Sequence, residues 1–222
     1  MKRLAKLGIC ACIFLLLSGC INYRTNTKAP ILPDNAIPNL NVMLPVAFKN
    51  VSSQSADILI GSWGGWRVYA DFYEYTESSI STAKNILERQ NIKVNNSADK
   101  ILELSIYDAK SERGMWAFQV TTTLRVKTAN GLKKEYVGVQ KHGSGYGTTS
   151  AIEKTLAKCV TQMLNDKDII RYLESSPADA VDNFDDGEYE YFSPHIENIP
   201  KDAVDNFDDG EHEYFSPQDP KN

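Results

Sequence analysis

A serine and a lysine with the spacing of a catalytic pair occur in the stretch Ser81-Thr82-Ala83-Lys84. Penicillin-recognising enzymes use this S-x-x-K spacing to activate a serine, together with S-D-N and K-T-G elements. The sequence contains no S-D-N, and Lys127-Thr128-Ala129 lacks the glycine of K-T-G. The predicted folded region, residues 42–174, is also too small for that class. We therefore interpret Lys84 as a solvated helix residue.

A second candidate is His142, the histidine of the predicted folded region, which any Ser-His-Asp triad would have to use. It begins the glycine-rich segment His142-Gly143-Ser144-Gly145-Tyr146-Gly147, whose backbone N–H groups could approach an anion at the N-terminus of the next helix. The sequence has neither G-x-G-x-x-G nor a P-loop lysine, so we favour a loop at a sheet edge. Cys/His metal spacing is absent. No catalytic residue, metal or cofactor is therefore predicted.

Two tryptophans flanked by glycines, Trp63 and Trp66 in Gly61-Ser62-Trp63-Gly64-Gly65-Trp66, form the most unusual surface candidate. An exposed indole pair would suit a membrane interface, a glycan or a protein partner, since tryptophan is enriched in binding hot spots. Alternatively, both rings fold over the sheet as core. The sequence leaves these two interpretations open. With His142 and Tyr146, the tryptophans make up the predicted binding surface.

The C-terminal region, residues 175–222, carries 14 acidic residues against two lysines, a net charge of −12. It contains a duplication, because residues 179–194 and 202–217 differ only at Tyr189 and His212. Two copies with few apolar residues cannot build a core, so the tail is predicted to be disordered.

A calcium-loop interpretation of the repeat fails on its ligands. Asp182, Asp186 and Gly187 fit positions 1, 5 and 6 of an EF-hand loop, but Phe184 and Ser193 occupy positions 3 and 12. We favour a linear peptide that a basic partner docks twice, with avidity from the duplication. Its aromatic residues are Phe184, Tyr191, Phe192, Phe207, Tyr214 and Phe215.

The N-terminal 20 residues have the pattern of an export signal. Lys2, Arg3 and Lys6 precede an apolar run of about 11 residues, which is too short for a spanning helix. The run ends in Leu17-Ser18-Gly19-Cys20, which resembles the bacterial lipobox, where cleavage before the cysteine follows acylation of its thiol. We predict a signal peptide over residues 1–19, cleavage between Gly19 and Cys20, and palmitate-type acyl chains on Cys20. Ile21 rather than aspartate follows the cysteine, which favours sorting to the outer membrane.

Cysteine usage in the rest of the chain fits this prediction. Cys10 and Cys12 leave with the signal, so Cys159 remains as a lone thiol that cannot form an internal disulfide. Its position on the apolar face of a predicted helix favours a buried small residue over a catalytic thiol.

Composition excludes several classes of protein. The chain has 222 residues, 42% of them hydrophobic, with 24 Lys+Arg against 29 Asp+Glu. These values are ordinary for one globular domain with additional segments. A net charge of −5 gives no indication of nucleic-acid binding. No nucleic-acid partner is therefore predicted.

The periodicity predicts an α+β domain over residues 42–174, preceded by a proline-containing extended tether over residues 20–41. Helical spacing spans about residues 75–90 and 148–164, whereas alternation over 102–107, 116–126 and 132–141 predicts strands. The expected architecture is an antiparallel sheet of about four strands with two helices on one face. Asn130-Gly131 is predicted to form a type I′ turn, and residues 148–150 are predicted to supply the N-cap of the last helix.

Several segments together resemble the YajG family of bacterial lipoproteins, and more widely the periplasmic lipoprotein domains with a TolB-N-terminal-like fold. They are the lipobox, a helix that ends in ILERQNIKV, a strand turn around TANGLKKEY, and a final helix followed by DKDIIRYLE. The resemblance covers about residues 42–174 and contains no catalytic signature. It implies an outer-membrane lipoprotein of the cell envelope without an established enzymatic activity, whose fold mostly binds other envelope proteins. The segment 61–66 and the acidic tail depart from the family.

We therefore expect a non-enzymatic outer-membrane lipoprotein that faces the periplasm and binds another envelope component. The alternative is a small-ligand or glycan-binding module that uses the Trp63/Trp66 loop. An enzyme is the weakest hypothesis, because no nucleophile, base and orienting group occur together.

Overall fold

The computed structural model describes residues 21–52, 56–115, 117–143 and 147–175. The predicted signal peptide, Cys20, Tyr146 and the acidic repeat lie outside these residues. The described strands are β1 (Ile21–Thr25), β2 (Val46–Asn50), β3 (Asp57–Trp63), β4 (Trp66–Asp71), β5 (Lys100–Arg113), β6 (Phe118–Thr128) and β7 (Lys133–His142). The helices are α1 (Phe72–Arg89), α2 (Thr148–Asn165) and α3 (Lys167–Glu174), and Asp34–Ala36 forms one 3-10 turn.

The α+β class is confirmed, but the strands form two sheets rather than one. One sheet has the order β1-β4-β3 and the other has the order β2-β5-β6-β7. Two pairs, β1 with β4 and β2 with β5, are parallel, whereas the prediction was antiparallel throughout. The reason is the connection: β3, β4 and α1 intervene between β2 and β5, and a crossover of this kind returns the chain in the same direction.

The four-stranded sheet carries the core on one face. Helix α1 packs on β2 and β5, α2 packs on β6 and β7, and the two helices touch each other, as expected for helices on one face. The predicted stripe of α2 is fully buried; it consists of Ile152, Leu156, Cys159, Val160, Met163 and Leu164. The opposite face is partly open, and there the guanidinium of Arg125 lies 3.1 Å from the ring centroid of Tyr107.

The ends of α1 follow from its sequence. Asp71 is the N-cap, and its carboxylate accepts hydrogen bonds from the backbone N–H groups of Tyr73 (2.9 Å) and Glu74 (3.3 Å). At the other end, Asn91 adopts a φ of 61°. The N–H of Ile92 donates to the carbonyl of Leu87 at 3.0 Å, which closes a Schellman motif. Helix α1 therefore ends at an asparagine in the left-handed region.

One predicted turn and one predicted helix cap are wrong. The β6–β7 connection has a positive φ only at Gly131 (92°), so a type I′ turn is excluded. The N–H of Gly131 donates to the carbonyl of Thr128 (3.0 Å). The N–H of Thr128 donates to the carbonyl of Leu132 (3.0 Å). This is a type I turn with a glycine bulge. Helix α2 begins after Gly147, which provides no side-chain cap, rather than after a threonine or serine.

The segment predicted as a free tether, residues 21–41, is packed against the domain. Its first five residues form β1, and Leu32, Ile37 and Leu40 are buried. The side chain of Gln90 fastens this segment, because it accepts from the N–H of Leu40 (3.1 Å) and donates to the carbonyl of Pro38 (3.0 Å). Burial of isolated apolar residues between prolines leaves no periodicity, which is why the sequence prediction missed it.

Gly138 in β7 provides a test of how closely α2 packs on the sheet. A Cβ at Gly138 would lie 2.2 Å from the backbone oxygen of Thr155, whereas one at Gly143 would meet nothing within 4 Å. We expect Gly138→Ala to lower the free energy of unfolding by about 1–3 kcal/mol, because the helix must move outward. Gly143→Ala is the matched control and should leave it within about 0.5 kcal/mol. Equal midpoints in denaturant titrations of the two variants would contradict the close approach.

Candidate functional site

The two tryptophans face each other at a tight turn between β3 and β4. Trp63 and Trp66 are directly paired in the ladder, and Gly64 and Gly65 form the turn with φ values of 52° and 83°. Positive φ at both central positions defines a type I′ turn, which glycine adopts without steric cost. The type I′ turn of this protein is therefore here rather than at Asn130-Gly131.

The start of the described chain lies beside this turn. Ile21 is paired with Trp66, and its N–H donates to the carbonyl of Gly65 at 2.9 Å. From there β1 runs parallel to β4 and away from the turn. Tyr23 links β1 to α2, because its hydroxyl lies 2.7 Å from the hydroxyl of Thr149.

An ion-pair cluster fixes β1 to the rest of the domain. Arg24 lies 3.2 Å from Asp57, 3.3 Å from Asp71 and 3.3 Å from Glu74. The carboxylate of Asp71 is completely buried, so this pair stabilises a charge that water does not reach. Thr25 adds a buried hydrogen bond between its hydroxyl and that of Tyr75. Burial raises the pKa of the Tyr75 phenol, which stays protonated.

An aromatic stack extends from the turn across the four-stranded sheet. The ring centroids of Trp63 and Phe118 lie 5.0 Å apart. Phe118 is paired with His142 in the β6–β7 ladder, and their rings are nearly parallel at 5.4 Å. Phe118 is in turn paired with Arg113 at the end of β5. We call residues 21, 63–66, 113–115, 118 and 142 the tip.

Gly61 allows the two sheets to meet beside the tip. A Cβ on Gly61 would lie 2.5 Å from the backbone oxygen of Ser111, so β3 passes the end of β5 with no room for a side chain. This contact holds the tryptophan turn next to the β5–β6 turn.

The structure brings together three of the four residues predicted to form the binding surface. Trp63 and Trp66 are both half-buried, which lies between the two interpretations that the sequence left open. His142 joins them through Phe118, whereas Tyr146 lies outside the described residues. Sequence reasoning missed Phe118 and Ile21 as site residues. The sequence did place Phe118 on the apolar face of a predicted strand. Its contact with Trp63 could not be inferred from local spacing.

The candidate enzyme residues do not lie in catalytic surroundings. Ser81 and Lys84 lie within α1, far from its first turn, where an S-x-x-K serine would have to be. Cys159 is fully buried, and its thiol contacts the carbonyl oxygens of Thr122 (3.5 Å) and Tyr136 (3.3 Å). Burial raises the pKa of the Cys159 thiol to about 12, so it is protonated at neutral pH. The described ranges contain no group of three His, Cys, Asp or Glu side chains that could hold a metal ion.

The described chain ends at the opposite end of the sheet. Lys100, the first residue of β5, is buried, and its ammonium donates to the carbonyl of Tyr172 (2.7 Å) and to the hydroxyl of Ser175 (2.6 Å). The Tyr172 hydroxyl also accepts from the N–H of Ile101 at 2.8 Å. These contacts hold the end of α3 against the start of β5. Since β5 has 14 residues, Ile21 and Ser175 lie roughly 40–45 Å apart along this strand.

Comparisons with known proteins add little to this description. No family model matches the chain, and no curated protein matches it. Among solved structures, the crystal structure of protein XCC0632 from Xanthomonas campestris, described by the family model DUF330, is similar. It has a TM-score of 0.47 and 13% sequence identity over 65% of this chain and 92% of that chain. None of the helices in the described ranges is long and apolar enough to cross a membrane.

The ion-pair cluster predicts that β1 is an integral part of the fold. We expect Arg24→Gln to lower the free energy of unfolding by about 1–3 kcal/mol, because it removes the cation beside a buried carboxylate. Arg67→Gln, an exposed arginine on the neighbouring strand β4, is the matched control. Thermal unfolding of the two variants measures the difference, and equal losses would show that the cluster adds no stability.

The burial of Cys159 predicts an unreactive thiol. In a chain that begins at Ile21, Cys159 is the sole cysteine. Because the pKa of the Cys159 thiol is about 12, iodoacetamide should alkylate it in the native chain at pH 7.5 on the order of a thousandfold more slowly than it alkylates an exposed thiol. The rate should rise with pH, because the thiolate is the reactive form, and should become ordinary in denaturant. A Met43→Cys variant supplies the exposed control thiol, since Met43 is 85% exposed. Comparable rates for the two thiols in the native chain would refute this prediction.

Proposed function

We propose that this chain is a lipoprotein of the bacterial outer membrane, and that it binds another envelope component rather than catalysing a reaction. In this proposal, cleavage after Gly19 exposes Cys20, acyl chains on Cys20 enter the membrane, and the domain faces the periplasm. Membership of the YajG-like family is part of the proposal. The segments that carry the resemblance lie at the end of α1, at the β6–β7 turn and in α3.

The observation that carries the proposal is the placement of the two chain ends. The lipobox cysteine directly precedes Ile21 at the tip, whereas the acidic tail begins beyond Ser175 at the start of β5. An anchor at one end and a tail at the other would place the start of the tail up to roughly 40–45 Å from the membrane surface. This arrangement suits a module that presents a peptide to a partner in the periplasm.

The composition of the tail specifies the partner's chemistry. Its net charge of −12 attracts a basic surface, and the aromatic pairs Tyr191-Phe192 and Tyr214-Phe215 supply apolar anchors. Because the two copies are nearly identical, a partner with two sites, or two copies of one partner, would gain affinity through effective concentration.

Three positive findings favour a binding role over catalysis. The Cys159 thiol is buried and protonated, Ser81 lies in mid-helix, and the His142 ring is stacked on Phe118. The alternative of a glycan or small-ligand module stays a prediction. It is disfavoured because both tryptophans are half-buried and Phe118 lies 5.0 Å from Trp63, so less indole surface is left for stacking a sugar.

The tail hypothesis is tested by photocrosslinking in cells. A photoreactive phenylalanine analogue at position 184 or 207, outside the aromatic pairs, should capture a basic envelope protein, and capture should fall at high ionic strength. Replacing both aromatic pairs by serine should abolish capture and replacing one pair should weaken it, whereas Tyr189→His should be neutral, because it makes the repeats identical. Equal capture by the double-pair variant would exclude the aromatic anchors.

The anchor is tested separately by metabolic labelling with an alkynyl fatty acid. The full chain should incorporate label and fractionate with the outer membrane of a Gram-negative host, whereas Cys20→Ser should incorporate none. Unlabelled full chain in the soluble periplasmic fraction would overturn the lipoprotein proposal and leave the tail experiment unaffected.

A further inference from the structure

The structure leaves no spacer between the predicted anchor and the fold. Ile21 is already hydrogen-bonded to Gly65, and Cys20 is one peptide bond before it. Consecutive Cα atoms are about 3.8 Å apart, so acyl chains on Cys20 would enter the bilayer directly beside the tryptophan turn. A free tether over residues 21–41 would instead have allowed about 60 Å of reach.

Strand β1 cannot swing away to create such a spacer without losing buried contacts. Arg24 would leave the buried carboxylate of Asp71, and Thr25, which is fully buried, would leave Tyr75. Asp71 would then lose its charge partner and Tyr75 a hydrogen-bond partner, which costs free energy. An anchor on Cys20 would therefore keep this end of the domain at the membrane surface.

The chemistry of the tip suits a bilayer surface. Ile21 is 49% exposed and Met115 is 86% exposed, and the indoles of Trp63 and Trp66 are half-buried. Tryptophan is enriched at membrane–water interfaces because its ring is apolar and its N–H is polar.

The charges around the tip are mostly positive. Arg113 belongs to the tip, Arg67 is adjacent to Trp66, and Lys141 is adjacent to His142; all three are exposed, as is the single acidic neighbour Glu112. Cations close to a bilayer are attracted to anionic headgroups.

We propose that the tip is a membrane-contact surface, seated in the headgroup region of the leaflet that holds the acyl chains of Cys20. Residues Ile21, Trp63, Trp66 and Met115 contact the lipid, and β5 projects away from the membrane. This inference rests on the lipid anchor of the proposed function. It adds a fixed orientation and a second, non-covalent contact with the bilayer.

Depth-dependent fluorescence quenching tests the proposal. The acylated full chain with Trp116→Phe, in which only Trp63 and Trp66 fluoresce, is reconstituted in vesicles of phosphatidylethanolamine and phosphatidylglycerol. Part of the lipid carries bromine on its acyl chains. We expect brominated lipid to lower the tryptophan emission at least twofold relative to unbrominated vesicles. The far-end control replaces all three tryptophans by phenylalanine and adds Asn96→Trp, an exposed position just before β5; its emission should not change.

A matched pair of charge substitutions adds a second readout. Met115→Glu places a carboxylate at the tip. Met43→Glu places one at an equally exposed residue near the start of β2, which pairs with the start of β5 and so lies at the far end of the domain. We expect Met115→Glu to reduce the quenching of the tip tryptophans to less than half, and Met43→Glu to leave it unchanged.

Flotation of the vesicles and the mass of the acylated N-terminal peptide are measured on the same samples. Chain that floats and carries lipid, but whose tip tryptophans are not quenched, overturns the membrane-contact surface and leaves the anchor intact. Quenching of Asn96→Trp to the same degree overturns the orientation. Chain that lacks lipid and does not float overturns the proposed anchor, and the membrane-contact proposal with it.

Discussion

The buried carboxylate of Asp71 is the constraint on which the arrangement of the N-terminal half depends. A carboxylate without solvent access costs free energy unless it is hydrogen-bonded and paired. Two backbone N–H groups at the start of α1 and the guanidinium of Arg24 meet this requirement. Arg24 is in reach only when β1 is paired with β4. The side chain of Asp71 therefore couples the start of α1, the pairing of β1 with β4, and the position of Ile21.

Strand β5 provides the corresponding constraint along the long dimension of the domain. Its first residue, Lys100, holds the end of α3, and its last residue, Arg113, lies at the tip beside Phe118. A register shift between Ile106 and Asp108 marks a bulge about midway along the strand. Because one strand reaches both ends of the domain, Ile21 and Ser175 are held apart by the backbone ladder rather than by a flexible connection.

Sequence patterns predicted α1, α2 and the central meander well, for a physical reason, whereas α3 was not predicted. An amphipathic helix or a half-buried strand repeats its apolar residues with the period of the element, so α1, α2, β6 and β7 could each be located from their own residues. The Schellman end of α1 at Asn91 was equally local. The turn type was predicted less well. The type I′ turn was expected at Asn130-Gly131, but positive φ at both central residues occurs at Gly64-Gly65.

The candidate site was predictable in composition but not in arrangement. Trp63, Trp66 and His142 were singled out as residues of unusual type and spacing. Phe118 links them only because β6 pairs with β7 and Gly61 lets β3 pass Ser111. Contacts of this kind join residues far apart in the chain, and no local period records them.

The sequence by itself determined the local features of the chain. These are the export-signal pattern that ends at Cys20, the acidic duplication, and the apolar faces of α1 and α2. The tertiary structure decided that residues 21–41 are part of the domain, that β1 pairs in parallel with β4 and β2 with β5, and that Ile21 lies beside the tryptophan turn. The difference is physical. Periodicity depends on one face of one element being buried, whereas parallel pairing and a buried ion pair depend on which distant segments meet.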